Sequence, residues 1–167
     1  MDNSAGVIVL RDACDADARL LWEWSRDLLV LATAFDPKPV SWEDHLRWMT
    51  ERLADGQSVM FVAETADCTP VGQVRFDRVA DGWELDFSIG AAYRGRGYGR
   101  QLLHQAVVCA RGRWLAQTRL SARVLAANLA SRAVCQAAGF VPVEYGTDDE
   151  RAYVRLERRV GDAEEPS

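Results

Sequence analysis

Val7 to Leu10 is a short, largely β-branched run that predicts a first strand, and Asp15 to Leu29 follows with apolar residues at helical spacing. The segment Phe35-Asp36-Pro37-Lys38-Pro39 interrupts the helical pattern, because its two prolines lock φ and push the residues before them out of the helical region. Ser41 reads as an N-cap with Asp44 three residues on, opening a helix that carries His45, Leu46, Trp48, Met49 and Leu53 to about Ala54. Strands are predicted at 58–64, 71–77 and 83–90, separated by the turn-like Asp67–Pro70 and Ala80-Asp81-Gly82. From Gly97 to about Arg113 the spacing is helical again, with Leu102, Leu103, Ala106, Val107 and Ala110 in one apolar stripe. Thr118 to Leu125 alternates like a strand. Asn128 to Ala138 is a further helix closed by Gly139, and strands are expected at 140–145 and 152–159.

The order β-α-α-β-β-β-α-β-α-β-β predicts an α/β (α+β) fold with one mixed, mostly antiparallel sheet of about seven strands and about four helices. One domain is expected over residues 1–160, with 161–167 as a frayed tail. The hydrophobic share of 49% beside 27% charged residues is that of a packed globular chain.

Charge narrows the partners. A net charge of -5 argues against nucleic acid, since phosphate binding needs a basic surface. No apolar run approaches the roughly 20 residues that span a bilayer, and the start lacks a signal-peptide pattern, so a cytoplasmic protein without membrane partners is expected. Cys14, Cys68, Cys109 and Cys135 are scattered without a CxxC pair, which predicts reduced thiols and no metal. Against the acidic background Arg94, Arg96 and Arg100 form a local positive patch.

That patch lies in LDFSIGAAYRGRGYGRQLL, where a strand runs through a glycine-rich turn into a helix. Such a turn suits an anion: helix N-terminal amides lack partners within the helix, and the macrodipole adds about half a positive charge. Gly95, Gly97 and Gly99 remove side chains that would keep a pyrophosphate from those amides. The pattern is neither the dinucleotide-binding G-x-G-x-x-G nor a P-loop, for it falls mid-chain and lacks G-K-[ST].

The run from Tyr93 to Arg100 resembles the acetyl-CoA pyrophosphate loop of the GNAT superfamily, Q/R-x-x-G-x-G/A, with Arg94 at its first position and Gly97 and Gly99 at the others. The superfamily also shows an asparagine opening a helix that ends in G-F, matched here by Asn128 and Gly139-Phe140. The resemblance implies acetyl-CoA as co-substrate, with Phe87, Ser88 and Ile89 offering main-chain groups to the pantetheine arm. It further implies Gly95, Arg96, Gly97, Tyr98, Gly99 and Arg100 on the pyrophosphate, together with Arg94, and Asn128 on the cofactor. The activity implied is N-acetyl transfer by direct attack of an amine on the thioester, with an oxyanion donor around Ile89.

Glu84 and Asp86 alternate with Leu85 and Phe87 and therefore share one face of their strand, which makes either the candidate base, directly or through water. Many relatives carry a tyrosine four residues before the G-F glycine, as the acid for the leaving thiolate; Cys135 stands there instead, as a candidate acid or as packing. Four tryptophans crowd the interval from Trp22 to Trp48. This stretch and the strand around Arg75 resemble acetyltransferases of nucleotide-linked 4-amino-4,6-dideoxy sugars, the pseudaminic-acid pathway type. Trp22, Arg26, Phe35, His45, Trp48 and Arg75 are accordingly candidate contacts to a small-molecule amine, through ring stacking and diphosphate binding. A protein N-terminus, an aminoglycoside, or a non-catalytic acyl-CoA sensor are the alternatives, and the chain reads as a monomer or homodimer.

Overall fold

The computed structural model describes residues 6–163. Strand β1 (Ile8–Asp12) leads through a single 3-10 turn (Asp15–Asp17) to α1 (Ala18–Ser25), α2 (Leu28–Thr33) and α3 (Trp42–Ala54). The meander β2 (Ser58–Thr65), β3 (Pro70–Val79) and β4 (Gly82–Ile89) follows, then α4 (Tyr98–Arg113), β5 (Arg119–Leu125), α5 (Leu129–Ala137), β6 (Val141–Asp148) and β7 (Arg151–Arg159).

The seven strands form one sheet in the order β1-β2-β3-β4-β5-β7-β6. Every neighbouring pair is antiparallel except β4 and β5, which run parallel and pair only from Gly82↔Arg119 to Leu85↔Ala122. Beyond Leu85 the two strands part, leaving the β5-facing edge of residues 86–89 without a strand partner. At the closed end of this seam a Cβ on Gly82 would overlap the Arg119 carbonyl, so the strands meet only because residue 82 has no side chain. The sheet ends at β6, whose register against β7 shifts between Pro142 and Glu144.

Period-two alternation sorts the sheet's faces. Val74, Phe76, Leu85, Ala122, Val154 and Leu156 point to one side and pack with Leu102, Leu103, Ala106 and Val107 of α4 in the main core. On the other side Met60 and Val62 of β2 take Ala18 and Leu21 of α1 and Met49 of α3 in a smaller core. On this second face β3, β4 and β5 present polar side chains.

Two expectations change. The helix predicted from Asp15 to Leu29 is broken at Arg26-Asp27, where Asp27 leaves the helical region (φ -60°, ψ 134°) and its carboxylate accepts the Leu29 and Val30 amides. An aspartate competes for backbone amides in this way, so the apolar spacing alone does not carry the helix through. The segment expected to fray from 161 begins ordered: the Gly161 amide donates to the Ala116 carbonyl at 2.8 Å, and the Asp162 carboxylate accepts the Arg159 amide at 2.7 Å. Residues 164–167 of that predicted tail lie outside the described residues.

Candidate active site

The glycine turn takes the shape its composition requires. Gly95 (φ 73°) and Gly97 (φ 89°) lie in the left-handed region, and Gly97 is the N-cap of α4 without a side-chain cap. The first amides of α4, at Tyr98 and Gly99, consequently face outward with no carbonyl behind them in the helix. A Cβ on Gly99 would meet Val134 at 3.4 Å and Ile89 at 3.9 Å, ordinary contact distances, which places the start of α4 against α5 and the end of β4. Arg96 and Arg100 are exposed around the turn. The Tyr98 side chain, by contrast, is buried in the main core, which leaves only its amide to the turn. Arg94 is also committed: its Nε donates to the Ile89 carbonyl at 3.0 Å and its Nη2 to the Asp27 carboxylate at 2.6 Å.

The parting of β4 and β5 opens beside this turn into a cavity of about 460 Å³. Phe87, Ser88, Asn128 and Ser131 line the part of it that lies at this seam. Asn128 is held in place by its own structural duty, for its Oδ1 accepts the Ser131 amide at 3.1 Å and caps α5. The edge left open there could pair with an extended chain of amides.

The rest of the cavity is walled by α1, α2 and α3 against the polar face of the sheet. Trp24 and Ser25, Val30 and Thr33, and Asp44, His45 and Trp48 come from the helices; Gln73, Arg75, Asp86 and Arg123 come from the strands. Asp86 lies 3.4 Å from Gln73 Nε2 and 3.7 Å from an Arg75 guanidinium nitrogen, while its side chain stays 59% exposed. Arg75 is also held by Asp77 at 2.7 Å and lies over the Trp48 ring at 5.1 Å. Glu84 shares the face of Asp86 but does not reach the cavity, and burial pushes its carboxyl up from the ordinary range.

Besides Glu84, Ile89 and the residues from Arg94 to Arg100, the candidates Trp22, Arg26, Phe35 and Cys135 stand outside the cavity lining. Trp22 packs edge-on against Trp42 at 5.6 Å and donates its indole N–H to the Val40 carbonyl, and Arg26 lies on the Trp22 ring at 4.8 Å. Phe35 touches the site indirectly, beneath Arg123 at 4.1 Å and against Tyr153. Cys135 is wholly buried in the main core, with its thiol pushed up to about 12 by burial. A thiol so placed packs the fold and is a poor proton donor to a thiolate of lower pKa.

Trp24, Gln73 and Arg123 line the cavity and escaped the sequence reading. Gln73 and Arg123 were within reach of period-two alternation, since β3 puts Gln73 on the face of Arg75 and β5 puts Arg123 on the polar side. Choosing Trp24 over Trp22 requires knowing which face of α1 meets β2.

His45 lines the cavity wall but is itself buried, between Trp42 (6.3 Å) and Trp48 (5.7 Å). Desolvation lowers its pKa from the usual 6.5, opposed by a hydrogen bond to the Ala18 backbone. The folded ring is therefore neutral where the unfolded one begins to charge. Above pH 6.5 its contribution is complete; as pH falls below 6.5 the unfolded chain binds a proton that the folded chain refuses, and stability drops until the folded pKa is reached. The slope in that window is at most about 1.4 kcal/mol per pH unit. Denaturant midpoints of the parent and His45→Phe, measured from pH 7.5 to 5, should diverge in slope below 6.5; parallel curves would mean that the folded ring takes up the proton.

The pattern of the acetyltransferase (GNAT) domain family matches residues 8–141. Among solved structures, spermidine N-acetyltransferase from Vibrio cholerae in complex with CoA and spermine superposes with a TM-score of 0.83 at 17% identity, covering 92% of this chain and 95% of that one. A ribosomal L7/L12 alpha-N-protein acetyltransferase in complex with coenzyme A gives 0.79 at 15% identity, covering 94% and 96%. A putative phosphinothricin N-acetyltransferase gives 0.77 at 21% identity, covering 93% and 99%. No curated protein matches the chain in sequence. Among the described residues no helix is long and apolar enough to cross a membrane, and no group of three or more His, Cys, Asp or Glu could hold a metal ion.

Proposed function

The chain belongs to the acetyltransferase (GNAT) family, and with acetyl-CoA-dependent N-acetyl transfer as premise we propose that its acceptor is the primary amine of a small molecule that also carries an anion, a nucleotide-linked amino sugar. One observation carries this reading: a single cavity brings Asp86, the guanidinium groups of Arg75 and Arg123, and the rings of Trp24 and Trp48 to the slot between β4 and β5. A carboxylate suits an ammonium, guanidinium groups suit a diphosphate, and flat rings suit a sugar or base.

The amides at the start of α4, with Arg96 and Arg100, would hold the cofactor's pyrophosphate, and Phe87 and Ser88 its pantetheine arm. Acetyl-CoA supplies the activated acetyl group when bound. The chain's own work is positioning and proton handling. Asp86, steadied by Gln73 and Arg75, attracts the acceptor's ammonium and takes its proton, directly or through water, so that the free amine presents itself within the cavity. Trp24 and Trp48 add flat apolar faces to the cavity wall, against which the acceptor's ring would lie.

A polycation such as the spermine bound in one similar structure would meet two guanidinium groups here. The reading is tested by following CoA release with a UDP-linked 4-amino-4,6-dideoxy sugar, spermidine, an aminoglycoside and a peptide N-terminus as acceptors. The nucleotide sugar should lead spermidine by a kcat/KM ratio of at least about 100, near 2.7 kcal/mol. A preference for spermidine or the peptide would overturn the substrate class. Tight acetyl-CoA binding without transfer to any amine would point to a sensor.

A further inference from the structure

Helix α2 forms one wall of the cavity through Val30 and Thr33, yet none of its residues is buried; Leu28 is 84% exposed and Leu29 55%. Six residues are too few to hold a helix in water without outside support. Support comes at both ends from distant arginines. At the C-terminal end Arg151 of β7 donates to the Ala32 carbonyl at 2.6 Å and to the Ala34 carbonyl. At the N-terminal end the Asp27 carboxylate caps the Leu29 and Val30 amides at 3.1 and 3.2 Å and also receives Arg94 at 2.6 Å. Arg94 in turn grips the carbonyl of Ile89, the last residue of β4.

We propose that Arg94 is a positioning residue of the acceptor site, its guanidinium bridging the end of β4 to Asp27 and so holding α2 in place as the cavity wall. The side chain that opens the glycine turn is thus spent on the acceptor side, and the pyrophosphate is left to the turn's amides with Arg96 and Arg100. The pair is partly shielded, with side chains 28% and 25% exposed, and charge-assisted, which strengthens it over a surface ion pair. Its pull on Asp27 holds that carboxyl below the usual range. The role of α2 as an acceptor wall rests on the function proposed above.

Hydrogen exchange of the α2 amides, including Leu31 and Ala34, tests the bridge in the ligand-free protein. Arg94→Gln removes the bridge and leaves the cap, whereas Asp27→Asn keeps the Oδ1 that receives the Leu29 and Val30 amides and Arg94 but removes its charge, so it reads the charge assistance alone. Arg94→Gln is expected to speed exchange of these amides at least about tenfold and Asp27→Asn by less, with the double variant little worse than Arg94→Gln. Arg94→Lys can reach one partner but not both and should fall between. Acetyl-CoA affinity, measured by calorimetry, should change less than threefold in all of them. With the UDP-linked amino sugar as probe, KM should rise about tenfold while kcat stays within twofold. A tenfold loss of acetyl-CoA affinity in Arg94→Gln with α2 exchange unchanged would make Arg94 a phosphate ligand and overturn the proposal, as would unchanged α2 exchange in Arg94→Gln whatever its acetyl-CoA affinity. If the parent itself binds no acetyl-CoA the proposed function fails, and the exchange comparison still decides the bridge.

Discussion

Gly97→Asp is expected to abolish acetyl-CoA binding, raising Kd at least about 100-fold, or 2.7 kcal/mol, in a calorimetric titration. Residue 97 is the N-cap of α4 and sits at φ 89°, directly before the amides that the pyrophosphate would use. Aspartate tolerates left-handed backbone better than most residues, so the helix should persist, while a fixed carboxylate occupies the space and cancels the field that draws an anion there. Gly97→Asn provides the comparison: it has the same bulk without the charge and should lose only about tenfold. Equal losses would mean that shape rather than charge governs the turn. Unchanged binding in Gly97→Asp would remove the pyrophosphate from this loop altogether.

Asp86→Asn should lower kcat/KM for the acceptor by about 10²- to 10⁴-fold, the range that follows loss of a positioned proton acceptor. The substitution keeps the shape of the side chain, and Arg75 retains Asp77 at 2.7 Å, so the thermal midpoint should barely move. Glu84→Gln is the matched control. Glu84 lies two residues away on the same face of β4, yet it stands outside the cavity, and its loss should change kcat/KM less than about threefold. If the two variants exchange effects, the base is Glu84, and its burial-raised carboxyl would then set the acid limb of the rate profile.

Much of this arrangement is legible in the residues. Alternation in 83–90 put Glu84 and Asp86 on one face, and the observed register, Arg75↔Asp86 and Asp77↔Glu84, lays both opposite the polar side of β3. Ser41 caps α3 as its spacing to Asp44 predicts, with the Asp44 amide donating to the Ser41 hydroxyl at 3.1 Å. Other features depend on contacts between residues far apart in the chain. Asp27 reads as one more polar residue in a helical stretch until Arg94, 67 positions later, is seen bonded to it. Arg94 itself looks like a loop cation suited to phosphate, and only the fold shows its guanidinium bonded to Asp27 and to the Ile89 carbonyl. Cys135 occupies a position where relatives place an acid, but the depth of that position below the surface is a property of how α5 lies on α4 and the sheet. The tryptophans divide likewise. Trp22 and Trp24 point to different sides of α1, and the choice between them is made by β2.

The outer strand β6 carries a consequence for how copies of the chain can associate. Pro142 has no amide hydrogen, and the ladder slips between Pro142 and Glu144, so the rim of the sheet is interrupted near the start of its last strand. A second copy laid along that rim would lose hydrogen bonds where Val141 and Val143, both more than 45% exposed, would draw it in. The irregularity thus acts as a guard at one of the sheet's two edges: a sheet shared across two copies cannot run unbroken along β6, and the edge without such an interruption is β1.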